Sequence, residues 1–307
     1  MELFRKQKKL MGNQFEICVI AENQQMADDQ IEVAIKEIQR IEKLLTTFSE
    51  ESQTNEINRN AGITPVVVDL EVFQLIQRAN RISKITQGAF DLSYGSIDKS
   101  LWNFDITMKT LPSVEIAKKS VRLINYNNII LDEKNTTVFL KEKGMRIGFG
   151  GIGKGYAAEM AKRKLQELGV QNGIVNASGD LCTWGTQTNG KQWTVGIADP
   201  NEKIKSFAQM NISNKAIATS GNYEKFITIN DKKYSHTINP KTGLPITGIS
   251  SVTIICNNAE IADAMATPVM VMGIEAGLFM VNQIKDLACI IIDDLGEIYT
   301  SKNINSK

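Results

Sequence analysis

Residues 148–156 read Gly-Phe-Gly-Gly-Ile-Gly-Lys-Gly-Tyr and run into a stretch of helical periodicity. A glycine run of this kind lets the backbone approach a phosphate closely, presenting N–H groups and the positive end of a helix dipole. From Gly148 it spells the first seven positions of a phosphate-binding loop, G-x-x-x-x-G-K. The eighth position is Gly155, where an NTPase loop needs a Ser or Thr hydroxyl for Mg²⁺. The implied chemistry is phosphate binding with one part of the NTPase apparatus missing; a plain strand-to-helix turn is the alternative.

His236, the only histidine, opens His-Thr-Ile-Asn-Pro-Lys-Thr-Gly-Leu-Pro. An imidazole there is suited to general-base work near neutral pH, or to shaping a loop rich in Pro and Gly. Asp263 and Thr267 stand at i and i+4, on one helical face. Both offer oxygen, which suits Mg²⁺ better than zinc, although an N-cap aspartate with an incidental threonine has the same spacing. Pro268 disfavours ordinary helical geometry at Thr267. Gly88–Gly95 and Asn176–Asp180 carry polar groups in turn-like settings, consistent with turn chemistry alone.

The elements that must position these groups follow from periodicity and punctuation. Residues 14–20 read as a strand. A helix starts at Asp28 or Asp29 with Ile31, Ile35, Ile38, Ile41 and Leu45 on one face. Thr46 to Gly62 is polar and loop-like. A second helix follows Asp69 through Val72, Phe73, Ile76, Ala79 and Ile82, ending near Gly88. Residues 129–133 and 136–141 form a hairpin about Lys134-Asn135. The glycine run leads into a helix from Lys154 to Leu168, with Gly169 at C′. Short strands are expected at 173–177, 192–198, 206–212, 225–229 and 233–238. Strand 251–256, a helix over 259–284 and strand 287–293 complete the pattern. Helices and strands mix without strict β-α-β alternation, so the class is α+β.

With 307 residues the chain can bury roughly 75% of the surface its unfolded form exposes, enough for a core without metal or disulfide. The net charge of +1 excludes the basic excess of nucleic-acid binders and polybasic membrane binders. Cys18, Cys182, Cys256 and Cys289 are scattered and read as thiols, not as a disulfide framework or zinc site. Met1–Lys9 is charged without an apolar stretch, and Leu10–Ile20 is interrupted by polar residues, so neither a signal core nor an integral membrane segment is seen. The expected compartment is cytoplasmic, or exported or membrane-anchored if an N-terminal signal has been removed.

Taken in order, the motifs resemble the FAD:protein FMN transferase family, called ApbE, over Met11 to Ile292. Met11-Gly12 resembles the family's opening Met-Gly. Thr47-Phe48 resembles its Thr-Tyr loop with Phe for Tyr, and Gly88–Asp91 its Gly-Ala-Phe-Asp. Gly150–Tyr156 resembles Gly-Gly-Ile-Ala-Lys-Gly-Tyr, with Gly153 for Ala. Asn176–Asp180 resembles Asn-x-Gly-Gly-Asp, with Ser178 for Gly. Ala218–Tyr223, the His236–Gly243 loop and Ala262–Thr267 follow in the family's order.

The resemblance implies one domain over 1–307, with two lobes of mixed sheet and helices around a central flavin-binding cleft. It implies Mg²⁺-dependent transfer of the FMN moiety of FAD to a threonine or serine of an acceptor protein, with release of AMP. A redox-complex subunit is one candidate acceptor, and nucleic acid is not a partner. A protein that only binds FAD, or hydrolyses it to FMN and AMP, is the alternative. On this resemblance Asp263, Thr267 and the carbonyl of Gly153 hold Mg²⁺, so Thr267 supplies the hydroxyl missing at Gly155. Met11, Phe48, Ala89, Phe90, Asp91, Gly150, Lys154, Asp180, Thr237 and Ile238 contact FAD. His236 is the candidate base, with Asp263 or Asp180 as the competing choice.

Overall fold

The structure, a computed structural model, describes residues 1–198, 206–222 and 226–304. Strand β1 (Glu2–Leu10) and β2 (Asn13–Ala21) form a hairpin, so the charged N-terminal segment is a strand. Its two-residue turn, Met11-Gly12, has φ of 51° and 73°, the paired positive values of a tight hairpin turn. Helix α1 (Gln24–Leu45) starts before the expected Asp28, because Asn23 caps it by accepting from Met26 N at 2.9 Å. The expected loop after it contains α2 (Gln53–Arg59), capped by Ser52. That helix is too short and too polar for a periodicity signal.

Next come β3 (Val66–Val67), α3 (Leu70–Ile85) and a short helix α4 (Val114–Ser120) that periodicity did not reveal. The hairpin of β4 (Ile129–Asp132) and β5 (Thr137–Leu140) turns where expected, with Asp132 accepting from Lys134 N at 2.9 Å. Helix α5 (Gly153–Glu167) follows the glycine run and stops at Gly169, φ 83°. Strands β6 (Gly173–Ala177), β7 (Asp180–Trp184), β8 (Trp193–Ala198), β9 (Ser206–Ile212), β10 (Ala216–Gly221), β11 (Phe226–Ile229), β12 (Lys232–Ser235) and β13 (Ile249–Cys256) come next. Residue 225 of the expected strand and Tyr223 lie outside the described residues.

Helix α6 (Ala259–Met272) contains Pro268 and continues through it, so the expectation of disturbed helical geometry at Thr267 is corrected. The lost N–H bond is outweighed by burial of the helix against β10, β13 and α5. The expected single helix over 259–284 is two, because Gly273 at φ 86° separates α6 from α7 (Ile274–Val281). Strands β14 (Ala288–Asp293) and β15 (Ile298–Thr300) follow.

The fold is α+β. Its main sheet runs β1-β2-β6-β7-β10-β13-β14-β15 and is antiparallel at every pairing. Helices α1, α5 and α6 cover one face, and the β8–β9 hairpin places Val195 and Ile212 against Leu181, Ile217 and Ile255 on the other. Strands β7 and β13 are therefore buried at every residue and show no alternation. That is why β7 could not be read from period two.

Candidate active site

Two hairpin tips of the main sheet meet the N-terminus of α5. The β1–β2 tip carries Met11, and the β6–β7 tip, Ser178-Gly179, delivers Asp180. Because β2 and β6 pair with Phe15 opposite Ala177, both tips fall at the same end of the sheet. Ser178 takes φ 56°, the left-handed region for which glycine is better suited, matching the family's glycine there.

Helix α5 begins without a side-chain cap from its own segment. The group that serves its first turn comes from α6: Gly155 N donates to Asp263 Oδ2 at 2.9 Å. A Cβ on Gly155 would sit 2.6 Å from Asp263 Cβ and would run into the Ala259 carbonyl oxygen. Glycine at the eighth loop position is thus required by the approach of α6, which also delivers the carboxylate. Glu159, one turn further along α5, accepts from Ala259 N at 3.0 Å and caps α6 in return.

Asp263 is only 7% exposed. Burial first, and then the negative charge of Asp180, push its pKa up to about 7, against the Lys154 charge and the N–H groups of Gly155 and Lys154. Asp180 is also raised by burial, although Lys154 Nζ pairs with its Oδ2 and Thr219 N donates to its Oδ1 at 3.3 Å. Among the described residues one lysine thus faces two buried carboxylates, a charge excess that a proton or a cation would relieve. Thr267 Oγ1 shares a hydrogen bond with Ser220 Oγ at 2.9 Å. Ser220 belongs to the 218–223 motif, but a serine at a strand end carries no sign of its partner in sequence.

Two cavities flank the glycine run, and Gly148 and Gly150 line both. One, about 370 Å³, is lined by Ala89, Phe90, Asp91, His236, Thr237, Ile238 and Thr267, among others. The other, about 470 Å³, is lined by Met11, Phe48, Gly153 and Lys154. Phe48 stands at its rim and is 98% exposed. Neither Asp180 nor Asp263 lines either cavity. Asp91 reaches the cavity, but its oxygens accept from Ser93 N, Ser93 Oγ and Tyr126 N at 2.8, 2.6 and 2.8 Å. Its carboxylate organises the loop.

The His236 loop is fixed at its base. Ile246 N donates to Thr237 O at 3.0 Å, and Ile238 N donates to the Tyr94 hydroxyl at 3.2 Å. Phe104 meets the His236 ring edge-on, centroids 6.4 Å apart. Tyr94 falls within the Gly88–Gly95 segment but nothing in sequence gave it a role, and Phe104 lies in a segment without a motif. Among the described residues no three His, Cys, Asp or Glu side chains gather as a metal cluster. The four cysteines are buried and unpaired, as read from the sequence.

A glycine-rich helix start, a buried carboxylate pair and two adjoining cavities make up the candidate site. The ApbE family model matches residues 11–291, and the chain belongs to the ApbE family. A protein of Klebsiella pneumoniae named FAD:protein FMN transferase is 31% identical over 266 residues, 86% of this chain and 82% of that one. One of the same name from Treponema pallidum is 27% identical over 282 residues, 86% and 78% of the two chains. The crystal structure of the ApbE protein of Thermotoga maritima superposes with a TM-score of 0.87 at 28% identity, covering 98% of this chain and 97% of that one.

Proposed function

We propose that this protein transfers the FMN moiety of FAD to a threonine or serine hydroxyl of an acceptor protein, releasing AMP. The observation that carries the reading is the start of α5, where the glycine run lies between two cavities and Asp263 closes the first turn. The pyrophosphate of FAD lies along Gly150 to Gly155, and its two ends occupy the two cavities. Shape supports this: a single-ended nucleotide leaves one cavity empty.

The residues present fit Mg²⁺. Among the described residues Asp263 is buried with little positive charge around it, Thr267 stands one turn along α6 with a hydroxyl, and Gly153 stands two residues before Gly155 with a carbonyl, the hard oxygen donors this ion prefers. These three would hold the ion, which when bound supplies positive charge to the phosphoryl oxygens. Lys154 and the N-terminus of α5 add to the same field. The acceptor hydroxyl oxygen bonds to the FMN-side phosphorus while the bridging P–O bond breaks, and AMP departs with that electron pair. His236 takes the hydroxyl proton. His236 is favoured over Asp180 and Asp263 because it lines a cavity, whereas both carboxylates line neither and are engaged by backbone N–H groups.

The test is incubation with FAD, Mg²⁺ and a candidate acceptor, following AMP release and acceptor mass. Both should rise together. AMP release without mass gain would make water the acceptor, and neither signal would overturn the reading. A pH profile at saturating substrates should show a limb in the wild type that disappears in His236→Ala; survival of that limb would remove the histidine from proton transfer.

A further inference from the structure

The tyrosine that ends the glycine segment points away from the cleft. Tyr156 is buried and lines a separate cavity of about 600 Å³ between α1, α3, α5 and α6. Its hydroxyl donates to Glu71 Oε1 at 2.6 Å. Arg40 holds the same Glu71 with two N–H bonds of 2.6 and 2.9 Å. Two turns along α3, Arg78 lies over the Tyr156 ring, 5.7 Å from its centroid. Arg78 also donates to both oxygens of Glu260, at 2.6 and 3.0 Å. Glu260 is 4% exposed, in the first turn of α6 and three residues before Asp263.

We propose that Tyr156, Glu71, Arg78 and Glu260 form a positioning clamp that sets the register of α6 against α5, and so places Asp263 and Thr267 relative to Gly153. The reason lies in the contact it backs. Where α5 and α6 approach closely, Gly155 meets Ala259 with no side-chain ridge to resist sliding, and the register there rests on two cap bonds, Gly155 N to Asp263 and Ala259 N to Glu159. A metal site tolerates only about 0.5 Å of error in its ligands. The clamp ties the first turn of each helix to the same two turns of α3 through a bidentate ion pair, buried on its Glu260 side and half-buried at Arg78, and a charge-assisted hydrogen bond. None of its members lines either cleft cavity, so all act through other residues.

This proposal rests on the metal reading above, and its test separates the two. Free Mn²⁺ is followed by its paramagnetic resonance signal while the ion is titrated into protein with FAD and no acceptor, well below the melting temperature. Arg78→Met should weaken half-saturation by about tenfold, the usual scale for losing a partner that orients metal ligands. Tyr156→Phe, which deletes one hydroxyl and keeps the ring, should weaken it by about threefold. In both, kcat at limiting ion should fall while the KM for acceptor holds. Lower melting temperature with wild-type ion half-saturation would reduce the network to packing and overturn the clamp. If Arg78→Met does not fold, an unmoved half-saturation in Tyr156→Phe overturns it. No ion binding by the wild type overturns the metal reading and the clamp with it.

Discussion

The two sides of α5 solve opposite electrostatic problems. On the far side, Arg78 answers Glu260 and Arg40 answers both Glu71 and Glu37 through multiple hydrogen bonds, and the bonds from Arg40 hold the Glu71 carboxylate below its usual range. On the cleft side, Asp180 and Asp263 share Lys154, and burial raises both carboxylates. The far side is complete without a ligand. Among the described residues the cleft side is left short of positive charge, and that shortage is what a cation and a phosphate-bearing substrate can use. Both lie within one turn of the same helix start, so charge balance, more than burial, tells a site from its scaffold.

The strongest way to break this comparison is to remove the unmatched charge. Asp263→Asn should lower FMN transfer by about 10²–10³-fold, the scale of losing a main electrostatic group of a site. Its thermal stability should hold or rise, because a buried charge is gone while an oxygen still accepts from Gly155 N. A melting temperature that falls with activity would make Asp263 a structural cap. His236→Ala should cost about 10²–10⁴-fold in kcat with FAD affinity kept, checked by single-turnover kinetics and flavin titration.

Lys154→Met leaves Asp180 buried and without its cation, and should cost about 3–5 kcal/mol in denaturant unfolding. Gly155→Ala forces α6 away from α5 and should cost about 1–3 kcal/mol, with weaker divalent-ion binding. At the other extreme, Glu37→Gln trims the second carboxylate partner of Arg40, which keeps its two bonds to Glu71, and should change stability by less than about 1 kcal/mol and activity not at all. The thiols are a control on the scaffold. Burial pushes Cys18 and Cys256 up to about 11 and Cys182 and Cys289 up to about 12. A raised pKa keeps the unreactive thiol form, so native protein at pH 8 should resist a thiol reagent that labels all four after unfolding.

Much of this was legible in the chain itself. The helices α1, α3 and α5 declare themselves because each buries a single face, and a 3.6-residue repeat survives in the string. The motif order was legible because the site uses residue types that local chemistry restricts: glycine at a helix start, an aspartate and a threonine one turn apart, a lone histidine in a Pro-Gly loop. Strand β7 was hidden because both its faces are buried, and α2 because its cap and seven residues leave no periodicity.

What only tertiary structure decided is who faces whom. Nothing local to Gly155 says that its side chain is forbidden by Ala259 and that its N–H is taken by Asp263, 108 residues away. Nothing local to Tyr156 says that it turns its back on the cleft to meet Glu71, Arg78 and, through them, Glu260. Pro268 reads as a disturbance of helical geometry at Thr267 until α6 is seen packed against β10 and β13, where burial outweighs one missing hydrogen bond. Residue type and short-range spacing carry propensity, capping and turn chemistry, which act over one or two turns. Charge balance and close approach are sums over segments distant in sequence, and they exist only once the sheet has brought those segments together.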